Sequence, residues 1–284
     1  MPELAVESVT VRFGGLQALD DVSLQVAHGA VTGLIGPNGA GKTTLFDVVT
    51  GLRRPQGGRV LLGGDDVTSL APHQRARRGI ARTFQRLELF GTLSALENVQ
   101  LAAEARRRHG ATAVAEELLG RVGLAGREGE PADLLPTGQA RLLELARALA
   151  TAPSVLLLDE PSAGLDEAES KALGGVLAGL AAEGLAVLLV EHDVSLVMEL
   201  CHHVVVLDAG LVIARGTPEA VRADPVVQHA YLGAPADAMG APGGPATPAP
   251  TPGTPARPGR PGGPAGPAPG GGVPALELGG VRAG

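Results

Sequence analysis

Short apolar runs alternate with longer stretches of helical spacing through most of the chain. Val31–Ile35 is one such run; it leads straight into a glycine-rich turn, after which residues 43–50 continue with helical spacing. Residues 80–84, 155–158 and 186–190 read as further buried strands, and 167–183, between the last two, as a helix with polar ends. Apolar strands alternating with helices predict an α/β fold with a mainly parallel sheet covered on both faces. The N-terminal part differs: residues 6–12, 22–26 and 59–62 predict an antiparallel β edge layer. Residues 96–150 hold no convincing strand and predict a helical insert.

The pattern stops near residue 234. From there to residue 272 the chain is almost wholly Pro, Gly, Ala and Thr and holds more than half of the 23 prolines. Such a segment cannot bury enough apolar surface to offset its chain entropy, so it predicts a disordered linker. Glycine does not recur at every third position, which excludes a collagen helix. Aromatic residues are 2% of the 284, so the core must be built from Leu, Val, Ile and Ala. A net charge of −7 argues against a nucleic-acid partner. A single cysteine, Cys201, excludes a disulfide framework and a cysteine-cluster metal site. The N-terminus has no basic leader before an apolar stretch, and no apolar run approaches the ~18 residues that would span a bilayer, so a cytoplasmic protein is expected.

Candidate chemistry begins in the turn after Val31–Ile35. Gly36, Pro37, Asn38, Gly39, Ala40, Gly41, Lys42, Thr43 and Thr44 match the phosphate-binding P-loop pattern between a strand and a helix. The glycines let successive backbone N–H groups face one concavity. The helix N-terminus adds positive potential, Lys42 adds a charge for the β- and γ-phosphates, and Thr43 offers a hydroxyl to Mg²⁺. Only two lysines occur in this arginine-rich chain, and one is here. The apolar run at 155–158 ends in Asp159 and Glu160. Beside a P-loop, this pair places Asp159 on the magnesium and Glu160 on the attacking water.

With these motifs the chain resembles the ATP-binding subunit of an ABC transporter over residues 1–233. The resemblance implies ATP and Mg²⁺ as ligands and assigns further residues. Gln85 matches the glutamine that reaches the metal and the water, and senses the membrane partner. Leu135, Pro136, Thr137, Gly138 and Gln139 lie at the family's signature loop, and residues 162–166, ending in Asp166, match the loop that crosses the dimer interface. His192 matches the switch histidine at the γ-phosphate, and Phe13 the aromatic stacked on adenine. Where the family pattern has Ser and then Gly after the signature leucine, this chain has Pro136 and Thr137, so a composite site completed by this loop is expected to be the weaker of two.

Within the family the chain is most similar to the ATPases of branched-chain amino acid importers, on residues 82–90, 143–149, 191–198 and 216–233; urea importers and lipopolysaccharide exporters share much of this. The partners implied are two membrane permease subunits, a second ABC ATPase domain and an external substrate-binding protein. The segment after Gln85 is expected to receive a permease helix through Leu87, Leu89 and Phe90. A soluble, non-transport ATPase is the alternative class; the coiled-coil or zinc insert of a repair ATPase is not seen. Residues 273–284 resemble the chain's own beginning and read either as the first strand of a second ATP-binding domain, joined by a linker whose reach is roughly 35 Å if flexible, or as an unstructured tail. Cys201, His202 and His203 invite a metal site, but read as neighbours in a strand they point to opposite faces and cannot converge. Arg106 to His109 reads as a solvated helix end whose cations suit the dipole.

Overall fold

The computed structural model describes residues 2–106 and 109–232, the last two by their backbone alone. The chain opens with β1 (Pro2–Phe13) and β2 (Leu16–Ala27), followed by β3 (Val31–Ile35) and α1 (Lys42–Thr50). Then come β4 (Gly57–Leu62), β5 (Asp65–Asp66), α2 (Pro72–Arg78) and β6 (Ile80–Arg82). Helices α3 (Ala95–Ala105), α4 (Ala111–Arg121) and α5 (Thr137–Ala150) lead to β7 (Val155–Asp159), α6 (Glu167–Ala182) and β8 (Ala186–Val190). The described part ends with α7 (Val194–Leu200), β9 (His203–Asp208), β10 (Leu211–Gly216), α8 (Pro218–Ala223) and α9 (Pro225–Leu232).

Two sheets result. The first is antiparallel, in the order β2-β1-β4-β5. The second runs β10-β9-β3-β8-β7-β6 and is parallel except for its β10 edge. The continuous apolar runs are explained by two cores that meet at this second sheet. Leu157 of β7 and Leu188 and Val190 of β8 face the first sheet, packing with Leu4, Val6, Val22, Leu45 and Phe46. Their neighbours Leu156, Leu158, Val187 and Leu189 face the helices, with Leu143, Leu173 and Leu177. A strand buried on both faces needs apolar side chains at odd and even positions alike. The β edge layer, the parallel core and the helical stretch are therefore as the sequence predicts.

Three details differ. The strand expected over 80–84 stops at Arg82, and Phe84 emerges half exposed. Cys201 is not in a strand: it caps α7, and only His203 begins β9. The buried Cys201 thiol is pushed up to about 12 by desolvation, and His202 accepts the Val31 N–H at Nδ1, 3.1 Å. Arg106 caps α3 as expected but is not merely solvated, because it donates to the carbonyls of Thr151 (2.9 Å) and Arg77 (2.7 Å). The linker at 234–272, the segment 273–284, and Arg107 and Arg108 lie outside the described residues.

The P-loop helix is anchored from behind. Arg75 is fully buried and donates to the carbonyls of Val48, Val49, Thr68 and Leu70. A cation thus satisfies the C-terminal carbonyls of α1, where the helix dipole favours it. No helix among the described residues is long and apolar enough to cross a membrane.

Candidate active site

The C-terminal ends of three neighbouring strands, β3, β7 and β8, bring the site together, as open α/β sheets do. At β3 the chain turns sharply through the glycine loop. A Cβ on Gly36 would run into the Leu207 carbonyl, and one on Gly41 (φ +109°) would lie 2.6 Å from the Ala18 carbonyl oxygen. Only glycine lets the loop lie this close to β2 and β9. Pro37 is half buried, Asn38 and Gly39 are exposed, and Ala40 is buried, its carbonyl accepting the Gly210 N–H. The N-terminus of α1 carries no side-chain cap. Thr43 is exposed on its first turn and Thr44 half buried.

Lys42 is only 7% exposed and curls over the loop, its Nζ donating to the carbonyls of Gly36 (2.6 Å) and Pro37 (3.1 Å). Burial lowers its pKa, while Glu160 and Asp159 pull it back up. The ammonium therefore lies in the field of both carboxylates.

At β7, Asp159 is buried and accepts Arg82 Nη2 at 2.9 Å. The same guanidinium donates to Asp47 of α1 at 2.6 Å and lies 5.4 and 5.0 Å from the ring centroids of Phe46 and Phe84. Glu160 follows with φ +52°, its N–H fixed to the Val190 carbonyl at 2.9 Å. This left-handed backbone aims its carboxylate between two partners. Gln85 Nε2 donates to Oε2 at 3.0 Å, and His192 Nε2 meets Oε1 at 2.6 Å. The three residues expected to carry catalysis are thus in direct contact. With Glu160 ionised, the shared proton sits on Nε2 of His192.

At β8, Glu191 is 3% exposed. Its Oε1 accepts the Ser162 N–H at 2.8 Å and its Oε2 the His192 N–H at 3.3 Å. Burial raises its pKa against these bonds, and Glu160 raises it further. Arg82, Asp47 and Glu191 carry no role in the sequence reading. A signal for Glu191 was present: an acidic residue directly after a fully apolar strand repeats the Asp159-Glu160 arrangement.

The remaining candidates assemble elsewhere. Thr137, Gly138 and Gln139 form the first turn of α5, whose N-cap, Pro136, makes no capping bond. Gly138 packs against the Glu169 carboxylate, and a Cβ on Gly164 would lie 3.4 Å from Thr137. Asp166 caps α6, accepting the Glu169 N–H at 2.8 Å while Glu169 accepts the Asp166 N–H at 3.0 Å. This group gathers around the start of α6, not around Lys42. Phe13 ends β1 half exposed, with the Arg53 guanidinium 4.2 Å from its ring centroid. Of the expected permease contacts, Leu87 and Phe90 are exposed, whereas Leu89 packs into the helical core. Phe90 lines a groove of about 580 Å³ with Phe84, Glu88, Leu101, Glu144 and Arg147.

Oxygen donors suited to Mg²⁺ come from three elements: the Thr43 hydroxyl from the first turn of α1, the Asp159 carboxylate from the end of β7 and the Gln85 amide from the segment after β6. Mg²⁺ takes one or two carboxylates with phosphate and water, so this set fits it.

A family model described as ABC transporter matches residues 19–163. A second, described as Branched-chain amino acid ATP-binding cassette transporter, matches residues 212–237. The high-affinity branched-chain amino acid transport ATP-binding protein BraF of Pseudomonas aeruginosa is 41% identical, over 82% of this chain and 98% of its own. The corresponding LivG of Escherichia coli (strain K12) is 39% identical with the same coverage. Among solved structures, the ADP conformation of MJ1267, an ATP-binding cassette of an ABC transporter, matches with a TM-score of 0.76 at 31% identity, over 82% of this chain and 100% of that one. A dimeric post-hydrolysis state of the cassette MJ0796, bound to ADP and Pi, matches with a TM-score of 0.68 at 26% identity, over 76% and 98%.

Proposed function

Because the chain belongs to the ABC transporter family of ATP-binding, ATP-hydrolysing proteins, we propose that it powers an importer of branched-chain amino acids, with Glu160 as the base of its ATPase. The observation that carries the catalytic part is the Glu160 carboxylate, held between Gln85 and His192 and sharing a field with Lys42. Glu160 accepts the proton of the attacking water. Gln85 and His192 fix the carboxylate's direction, and His192 turns toward the γ-phosphate. Lys42 and the N-terminus of α1 hold the phosphates, and Phe13 stacks on the adenine. Thr43, Asp159 and Gln85 would hold Mg²⁺, which when bound offsets charge on the β- and γ-phosphates. Arg82 holds Asp159 in place for that duty.

Thr137, Gly138, Gln139 and Asp166 then serve the nucleotide of a second ABC ATPase domain across a dimer, in trans or fused after residue 284. The dimeric MJ0796 cassette supports that arrangement, as does their grouping around the start of α6. The match of residues 212–237 and the names of BraF and LivG support the substrate class. Two membrane permease subunits, docked by the groove beside Phe90, and an external substrate-binding protein complete the assembly. The cassette then lies peripherally at the membrane's cytoplasmic face.

The test is Glu160→Gln. Turnover should fall at least about 10²-fold, while ATP binding, read by fluorescent-nucleotide titration, survives. Hydrolysis at a near-normal rate would remove Glu160 as the base. Uptake of labelled leucine by vesicles holding the assembled transporter tests the substrate class separately.

A further inference from the structure

Gln85 reaches Glu160 from a segment outside regular structure, since β6 ends at Arg82 and α3 begins at Ala95. Its hold comes from one face of α5. Arg141, Glu144 and Arg147 stand three residues apart, which places them side by side on that helix. Arg141 donates to the Phe84 carbonyl from Nη1 (3.2 Å) and to the Gln85 carbonyl from Nη2 (2.8 Å). Glu144 Oε1 accepts the Phe84 N–H at 3.4 Å, and its Oε2 pairs with Arg141 at 3.3 Å. Arg147 donates to the Glu88 carbonyl and lies 5.1 Å from the Phe90 ring centroid. The backbone is thereby held at Gln85 itself and on both sides of it.

The location of these charges needs a reason. Arg141 is 9% exposed and Glu144 5%. Arginine and glutamate are almost never this buried unless paired, and a buried pair is a poor source of stability compared with apolar side chains of the same volume. Burial raises the Glu144 carboxyl above the ordinary glutamate range, opposed by the Phe84 N–H and by Arg141. What the pair supplies is direction. A planar guanidinium with two donors on consecutive carbonyls fixes the orientation of the peptide between them.

We propose that Arg141, braced by Glu144, is a positioning residue for Gln85: it fixes the Phe84–Gln85 peptide so that the Gln85 amide points at the Glu160 carboxylate. The inference rests on the reading of Glu160 as base with Gln85 as its helper. It also ties Gln85 to the helix that begins with Thr137, Gly138 and Gln139, so that one rigid element carries both.

A double-mutant cycle on the isolated chain tests it, with Arg141→Met, Gln85→Ala and the double variant assayed for kcat, KM for ATP and Tm. Arg141→Met should lower kcat roughly tenfold to a hundredfold, with KM unchanged within about twofold. The double variant should be no slower than Gln85→Ala alone. If Arg141→Met slows the Gln85→Ala enzyme by the same factor as the native one, Arg141 does not act through Gln85 and the proposal falls. It falls equally if Arg141→Met leaves kcat untouched. Should Arg141→Met fail to fold, Glu144→Gln takes its place. It keeps an acceptor for the Phe84 N–H but removes the charge that braces Arg141, and it must show the same loss only when Gln85 is present. Failure of the underlying reading looks different: Glu160→Gln and Gln85→Ala would then both turn over normally.

Discussion

Two adjacent strands end in glutamates that the protein uses differently. Glu160 is partly exposed and held by side chains that can move, Gln85 and His192. Glu191 is enclosed and held by two backbone N–H groups, those of Ser162 and His192. Glu191 therefore links the segment leading to Asp166 with the segment carrying His192, in a geometry only the folded chain provides. Burial raises its pKa, so the folded state binds its proton more readily than the unfolded state does. The linkage then has a definite sign. Its contribution to stability is fully present below the ordinary glutamate pKa and is lost as pH rises through the raised folded value. Glu191→Gln removes that titration but keeps an acceptor. Urea midpoints of the native chain relative to this variant should fall as pH rises from about 4.5 toward neutrality; a difference independent of pH would mean that Glu191 is not held near its proton.

At the scale of elements, α5 has an incomplete start. Pro136 at its N-cap has no side-chain oxygen and no N–H to offer, and Gln139, at the third helical position, has a buried Oε1 with no partner among the described residues. Pro136→Ser supplies both missing halves of a capping box: a hydroxyl for the Gln139 N–H and a backbone N–H for its Oε1. The cap contributes about 1 kcal/mol, and the second bond about as much. The lost stiffness of proline offsets about 0.4–1 kcal/mol of this. The unfolding midpoint should rise, and turnover should rise with it if this loop completes the weaker composite site. An unchanged rate would count against this site being the weaker of two. The same contrast separates what was legible in the sequence from what was not. β3 and β8 could be read residue for residue, because strands buried on both faces are short, mainly apolar runs, interrupted in β3 only by the small Thr32 and Gly33. The edge strand β10 is half exposed: its apolar run, residues 211–214, is followed at once by Arg215 and Gly216, and one of its sides lacks a neighbouring strand. The P-loop was legible because its chemistry is local, with backbone N–H groups and one lysine within nine residues. Arg82 with Asp47, and Arg141 with Gln85, were not, because only the fold brings together residues 35 and 56 apart.

On the whole molecule, three of the four phenylalanines are substantially exposed, and two of them, Phe84 and Phe90, line one groove with Leu101 of α3. In a chain that builds its core from aliphatic residues, this is where the scarce aromatic surface is kept. Large exposed apolar groups gathered in one place mark a contact with another protein. The groove is also walled by Glu144 and Arg147, and it adjoins the segment bearing Gln85. A helix seated there would press on the same backbone that orients the catalytic glutamine, coupling the membrane subunits to hydrolysis. Leu101 offers a clean way to separate the two roles. It is 44% exposed, whereas the inner side of α3 is formed by Ala95, Val99 and Ala103. Leu101→Glu thus adds a charge to the groove without touching the core or the catalytic residues. The isolated variant should hydrolyse ATP at the native rate and keep its Tm within a few degrees. In a pull-down from detergent-solubilised membranes it should lose the two hydrophobic subunits that the native chain is expected to retain, because a docked apolar helix would then have to cover a carboxylate in place of a leucine. Retention of both subunits by the variant would place the membrane contact on another face of the cassette, and the coupling through α5 would then lack its trigger.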